Sequence, residues 1–272
     1  MPVWPAAGRA APIDYSADMS FAAPAMVLAA GRGERMRPLT DHTPKPLLPV
    51  QGQPLLMWHL QALARAGWDR AVVNTAWLGE QIEAALGEQP PGGPRLAFSH
   101  EGRDFGGALE TAGGIARALP LLGDVFWVVA GDVFMPGFEF PRGAFERFAA
   151  GPALAHLWLV PNPPHHPRGD FSLAPDGRLR HDTPQDAPRW TFSTVALYRR
   201  AFFDALPAGN PAGLKAPLAP MLRAAMDNGQ VTGERWSGPW ADIGTPERLA
   251  AINTPRAHAT PAPPDSTHPA AA

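Results

Sequence analysis

The run Val125–Ala130, VFWVVA, is apolar at every position and stops at Gly131-Asp132. A strand that is apolar on both faces must be covered on both, which places it inside a mainly parallel sheet with helices on either side. Neighbouring segments agree with this. Met26–Ala30, Ala71–Thr75 and Arg95–Ser99 read as further short strands. Helical patterns separate them. Pro54–Ala66 carries Leu56, Leu60 and Leu63 on one face, with Pro54 near its start and Gly67 just past its end. Leu78–Leu86 and Thr111–Leu119 are the next two helices. This β-α-β-α order predicts an α/β fold: a Rossmann-like, doubly wound, mixed and mainly parallel sheet.

The second half is less regular. Ala153–Val160 and Arg189–Tyr198 read as strands on either side of a Pro/His/Gly-rich excursion, Leu218–Asn228 as a helix stopped by Gly229, and Val231–Trp236 as another strand. Its longer connections predict a small substrate lobe carried on the α/β core. Residues 1–24 are rich in Ala and Pro, and 254–272 form a low-complexity Pro/Ala/Thr segment. Neither has the periodicity needed to bury a core, so both are expected to be disordered, with one globular domain at 25–253.

With 272 residues and 45% hydrophobic content, the chain is long enough for one sizeable core. Its 23 basic and 25 acidic residues nearly cancel, which argues against a dedicated nucleic-acid binder. There is no cysteine, hence no disulfide framework, no thiolate nucleophile and no Cys-ligated zinc. No apolar stretch approaches the length of a membrane span, and the N-terminus lacks a secretory pattern, so a cytoplasmic protein without membrane contact is expected.

Ligands of open α/β sheets bind outside the carboxyl ends of the strands, and three chemically loaded loops follow strands here. The first is Gly31–Lys45. Gly31 and Gly33 suit a backbone nest for an anion, and Arg35 and Lys45 add charge. The segment matches neither a Walker loop, which needs a Lys-Ser/Thr, nor a dinucleotide fingerprint, since Met36 stands at the third glycine. A bare glycine pair equally suits an ordinary turn. Pro44-Lys45-Pro46 adds to the functional reading, because two prolines fix the backbone around the lysine at the expense of a donor. Arg32 and Arg37 are expected to face water. The second loop sets Asp132 at the end of the most apolar strand, a good seat for Mg²⁺ and also a common turn or cap position. In the third, GPWADIGTPERL, Thr245-Pro246-Glu247 is a strong helix start, while Asp242 lies outside that cap and is placed to join Asp132 around one metal.

Taken together, LAAGRGERMRPLT…PKPLLPV, ETAGGIARALPLLGD, VVAGDVF and WADIGTPERL resemble the sugar-1-phosphate nucleotidyltransferases, in order and across nearly all of 25–253. Within that family, NTAWLGEQIE, LETAGGI and VPNPPHHPRGDF are most similar to the branch that transfers UMP to N-acetylmuramate 1-phosphate. The resemblance implies a glycosyltransferase-A-like nucleotidyltransferase fold and a single in-line transfer with pyrophosphate leaving. It also implies UTP and a sugar 1-phosphate as partners, in a monomer or small homo-oligomer. Arg35 and Lys45 would be the catalytic cations, and Asp132 and Asp242 would hold Mg²⁺. Leu28, Ala30, Gly31, Gly33, Glu110, Thr111, Gly113 and Gly131 would bind the nucleotide, the glycines letting the chain approach a flat base. Where the family pattern has glycine, Ala112 stands. Asn162, Gly169 and Asp170 would bind the sugar phosphate. Two alternatives remain: a guanylyl- or thymidylyltransferase acting on mannose or glucose 1-phosphate, and a non-catalytic relative that binds nucleotide sugars.

Overall fold

A seven-stranded sheet built from both halves of the chain forms the centre of the protein. The computed structural model describes residues 22–182 and 187–254. Its main strands are β1 (Ala23–Leu28), β2 (Arg70–Thr75), β3 (Arg95–His100), β4 (Leu122–Ala130), β5 (Ala155–Val160), β6 (Thr191–Arg199) and β7 (Val231–Arg235), in the spatial order β7-β5-β6-β4-β1-β2-β3. β4, β1, β2 and β3 run parallel. β6 is antiparallel to both β4 and β5, and β7 is parallel to β5. The sheet is therefore mixed and mainly parallel, as the apolar runs predict.

The helices are α1 (Leu55–Arg65), α2 (Gly79–Leu86), α3 (Glu101–Phe105), α4 (Glu110–Ala118), α5 (Arg142–Ala150), α6 (Leu218–Asp227) and α7 (Pro246–Asn253). Alternation along the strands feeds two cores, one on each face. Val27, Trp127 and Val129 pack with Leu56, Leu60 and Leu63 of α1, all six fully buried. Burying each of these leucines contributes about 2 kcal/mol. Met26, Phe126 and Val128 pack on the other face with Ile115 of α4 and Leu222 of α6. Gly67 closes α1 at φ +79°, a conformation only glycine adopts freely. At α7, the Thr245 side chain accepts from the Arg248 N–H and Pro246 takes the first turn, as read from TPE.

The sheet differs from the reading in where the second half goes. Its strands β5, β6 and β7 complete the main sheet, and the excursion after β5 packs back onto it through Phe171 and Leu179. That excursion contains a short antiparallel ladder, Ser172–Leu173 with Leu179–Arg180. Helix α5, which buries Ala144 and Phe148, and the short α3 had no counterpart in the sequence reading. The two tails fall outside the described residues except for 22–24 and Thr254, and Ala23 and Pro24 already belong to β1. Among the described residues no helix is long and apolar enough to cross a membrane.

Candidate active site

Three loops meet beyond the carboxyl ends of β1 and β4, held together by a small apolar cluster of their own. Met36 and Leu48 come from the loop after β1, Phe134 from the loop after β4, and Ile243 and Leu249 from the C-terminal return. Val133–Phe134 pairs antiparallel with Ala241–Asp242, and the Ile243 N–H donates to the Asp132 carbonyl at 3.0 Å. This register puts Asp132 and Asp242 on adjoining strands.

The loop after β1 is folded back on itself. Gly33 sits at φ +66°, and a Cβ there would stand 3.0 Å from Thr40 Cγ2 and 3.2 Å from Lys45 Cβ. Thr40 Oγ1 donates to the Gly33 carbonyl at 2.8 Å. Arg32 does not face water. It stacks 3.7 Å over the Trp77 ring, donates to the Thr40 carbonyl and pairs with Asp41, both at 2.9 Å. Trp77 Nε1 donates to the same carbonyl at 2.9 Å. Arg37, mostly exposed, also pairs with Asp41 at 2.8 Å. The Arg32 hydrogen bond, helped by Arg37, holds the Asp41 carboxyl below the usual carboxylate range.

Lys45 opens a 3₁₀ turn between its two prolines and is buried, with Nζ 2.7 Å from Asp132 Oδ2. Asp132 keeps 46% of its side chain exposed toward the cleft. That cleft, of about 700 Å³, is lined by Leu28, Ala30, Gly31, Gly33, Arg35, Lys45, Glu110, Thr111 and Asp132, all expected site residues, and by Gly244. Arg35 is exposed there and makes no ion pair among the described residues. A Cβ on Gly31 would meet nothing within 4 Å, so packing does not require this glycine; its bareness leaves the cleft open.

Two expected nucleotide contacts shape the walls instead of lining them. Gly131 lets β4 approach β1, where a Cβ would stand 2.8 Å from the Leu28 carbonyl oxygen. Gly113 is buried, and a Cβ there would stand 2.4 Å from the Leu214 carbonyl oxygen. Its N–H and that of Ala112 both donate to the Ala216 carbonyl. Glycine at 113 thus admits the 214–216 segment and not a base. Ala112 is fully buried in the core beside Ile115, so its methyl takes no space from the cleft.

The sugar-phosphate candidates also serve the fold. Both amide protons of Asn162 are taken, by the carbonyls of Arg189 at 2.9 Å and Pro167 at 3.2 Å, and its oxygen accepts from Thr191. Gly169, at φ +60°, leaves room for that oxygen. Asp170 accepts from the Phe192 N–H at 2.8 Å and from His166 Nε2 at 3.0 Å. These residues fix the 162–170 loop, and the loop in turn brings His165 to Asp242, Nε2 to Oδ1 3.0 Å. Asp242 also pairs with Arg248 at 2.5 Å and lies beside the cleft-lining Gly244.

Among the described residues no three His, Cys, Asp or Glu side chains cluster as metal ligands. Asp132 and Asp242 are two carboxylates beside an open cleft. Mg²⁺ takes one or two carboxylates and fills the rest of its shell with water and phosphate oxygens, which suits the half-exposed Asp132, whereas both oxygens of Asp242 already meet partners, Oδ1 His165 and Oδ2 Arg248.

Three residues at the site had gone unread. His59 of α1 is fully buried and meets the Val133 carbonyl through Nε2 at 2.8 Å. Burial pushes its pKa down to about 4, so at neutral pH it is an uncharged donor that braces the Asp132 loop from behind. Asn74 and Glu101 line the cleft floor at the ends of β2 and β3, the position that drew attention to Asp132.

Comparison with known proteins agrees with this geometry. The family model described as nucleotidyl transferase matches residues 24–167. The N-acetylmuramate alpha-1-phosphate uridylyltransferase of Neisseria meningitidis is 52% identical over 83% of this chain and 94% of its own length. The Caulobacter vibrioides protein of the same name is 33% identical over 84% of this chain and 94% of its own. A Bacillus anthracis structure assigned as a glucose-1-phosphate thymidylyltransferase superposes with a TM-score of 0.69 at 21% identity, covering 84% of this chain and 93% of that one. That last likeness speaks for the fold alone. With the family model matching residues 24–167 and a relative 52% identical over 83% of this chain, the chain belongs to the nucleotidyl transferase family.

Proposed function

We propose that this protein transfers UMP from UTP to N-acetylmuramate 1-phosphate, giving UDP-N-acetylmuramate and pyrophosphate, as a cytoplasmic step in the recycling of peptidoglycan sugars. The observation that carries this reading is one open cleft lined by the Gly31–Arg35 loop, Lys45 and Asp132, in a chain 52% identical to a protein named for that activity.

The nucleotide would enter over the exits of β1 and β4, with its base between the Leu28–Gly31 backbone and Glu110-Thr111. Gly31 leaves room for the phosphates, and Arg35 meets their charge with two parallel donors. An oxygen of the sugar 1-phosphate attacks the α-phosphorus, the bond to the β-phosphate bridging oxygen breaks, and pyrophosphate departs. The nucleophile is already an anion, so no general base is needed. Catalysis consists of alignment and charge stabilisation, and Lys45, held by its prolines at the mouth of the phosphate loop, is placed for both. Asp132 and Asp242 would hold Mg²⁺, which supplies further charge neutralisation to the phosphate oxygens when bound. Asn162, Gly169 and Asp170 act on the acceptor through the loop they fix.

A pyrophosphate-release assay that crosses the nucleoside triphosphates with several sugar 1-phosphates tests the assignment. Turnover is expected with UTP and N-acetylmuramate 1-phosphate. Turnover confined to GTP with mannose 1-phosphate, or to dTTP with glucose 1-phosphate, would replace it with one of the related activities. No turnover with any pair would leave the non-catalytic reading.

A further inference from the structure

Glu101 is fully buried directly after β3, and its two oxygens both accept. Oε2 takes the Leu109 N–H at 2.7 Å, and Oε1 takes Asn74 Nδ2 at 2.6 Å. Asn74 Oδ1 in turn accepts the Ala29 N–H at 2.8 Å. One chain of three hydrogen bonds thus joins the backbone leaving β1 to the backbone entering α4. The segments it joins, Leu28–Gly31 and Glu110-Thr111, both line the cleft.

Two further features are built around this chain. Gly114 of α4 leaves space for the carboxylate, since a Cβ there would stand 2.4 Å from Glu101 Oε1. Glu110, next to the anchored Leu109, holds φ +63°. A residue with a Cβ keeps that conformation only where its surroundings over-determine it.

We propose that Asn74 and Glu101 form a positioning relay that sets the spacing between the two backbone segments gripping the nucleotide base. This rests on the reading that a nucleoside triphosphate occupies the cleft. The chemistry of the relay is specific. Both of its ends are backbone N–H donors, so it must present an acceptor at each end and one donor–acceptor pair in the middle. One carboxylate and one amide satisfy that. Two amides force two donors to face each other, and two carboxylates force two acceptors together. Burial raises the Glu101 pKa, while the N–H groups of Leu109 and Asn74 pull it back toward the ionised form the relay requires. Exchanging the two groups, carboxylate at 74 and amide at 101, restores every bond, with only the middle one reversed in direction.

Glu101→Gln, Asn74→Asp and the double variant test this, with KM for each substrate, calorimetric nucleotide binding and the thermal midpoint as readouts. Each single variant is expected to weaken nucleotide binding by about 10- to 100-fold while KM for the sugar 1-phosphate stays within about twofold. The double variant is expected to recover nucleotide binding to within about threefold of wild type. A double variant no better than the singles would overturn the relay. So would singles that lose both substrates together with thermal stability. Wild-type binding of a nucleotide other than UTP would overturn the uridylyl assignment and leave the relay to be judged with that nucleotide. Binding of none would overturn both.

Discussion

Lys45 Nζ lies 2.7 Å from Asp132 Oδ2, joining residues 87 positions apart across the mouth of the cleft. The lysine is buried and the carboxylate half exposed, so the pair is solvated mainly from the aspartate side. Lys45→Met should therefore leave stability within about 1 kcal/mol, because the partner it abandons can still reach water. It should lower kcat/KM by about 10²- to 10³-fold, the usual effect of removing one charge stabiliser from a transition state. Steady-state kinetics beside a thermal melt checks both halves.

Asp132→Asn removes the cleft carboxylate that pairs with Lys45 without changing its shape. Turnover should fall by at least about 10³-fold, and calorimetric titration with Mg²⁺ in the presence of nucleotide should lose its heat. An active Asp132→Asn enzyme that still binds the metal would refute the assignment of this residue.

Gly31 and Gly33 differ in what a methyl would meet. Gly33→Ala must hold φ +66° with Thr40 Cγ2 3.0 Å away, so it should lose about 1–2 kcal/mol of stability. Gly31→Ala meets nothing within 4 Å and should melt like wild type, yet raise KM for the nucleotide by intruding on its path. Equal melts for the two variants would contradict the described loop.

His59 makes an acid-sensitive brace. Its folded pKa is about 4, depressed by burial below the value of about 6.5 in an unfolded chain. A depressed value means that the stabilisation is present above pH 6.5 and is lost as pH falls toward 4. Across that window the protein should lose roughly 3 kcal/mol through this group. His59→Gln keeps a donor for the Val133 carbonyl and does not titrate, so its denaturation midpoint should fall less steeply between pH 6.5 and 4. Parallel curves would show that another group governs the acid limb.

Asn162→Ala strips three hydrogen bonds from the 162–170 loop. It should cost about 1–3 kcal/mol and lower the thermal midpoint by several degrees, with KM for the nucleotide unchanged. Weaker acceptor binding at an unchanged midpoint would instead make Asn162 a direct contact.

The strands and the cleft were legible because both are written in local patterns. Val125–Ala130 announces a strand covered on both faces, and Asp132 follows from where such strands end. The same rule reaches Asn74 in AVVNT and Glu101 in FSHEG, since each ends its strand at the same sheet edge; neither had a motif to draw the eye. The glycines of ETAGG were legible as close approaches, but the approaching groups are Leu214 and Glu101, and only tertiary structure reveals which group arrives. Asn162 and Asp170 read as ligands through the family resemblance alone. An excursion with little ladder of its own must find partners for its backbone, and these two side chains supply them. Arg32 looked like a free cation because Trp77 and Asp41 lie too far along the chain, or are too ordinary in type, to mark it.

The pairing of Val133–Phe134 with Ala241–Asp242 also bears on how the protein comes into being. A chain emerging from the ribosome holds the whole phosphate loop, Lys45 and Asp132 well before residue 241 is made. Until that last stretch returns, Phe134 and Met36 lack Ile243 and Leu249 as neighbours, and Asp132 lacks its companion carboxylate. Domains fold as units from the N-terminal side during synthesis. The three loops can therefore close on one another only after residues 241–249 have been made.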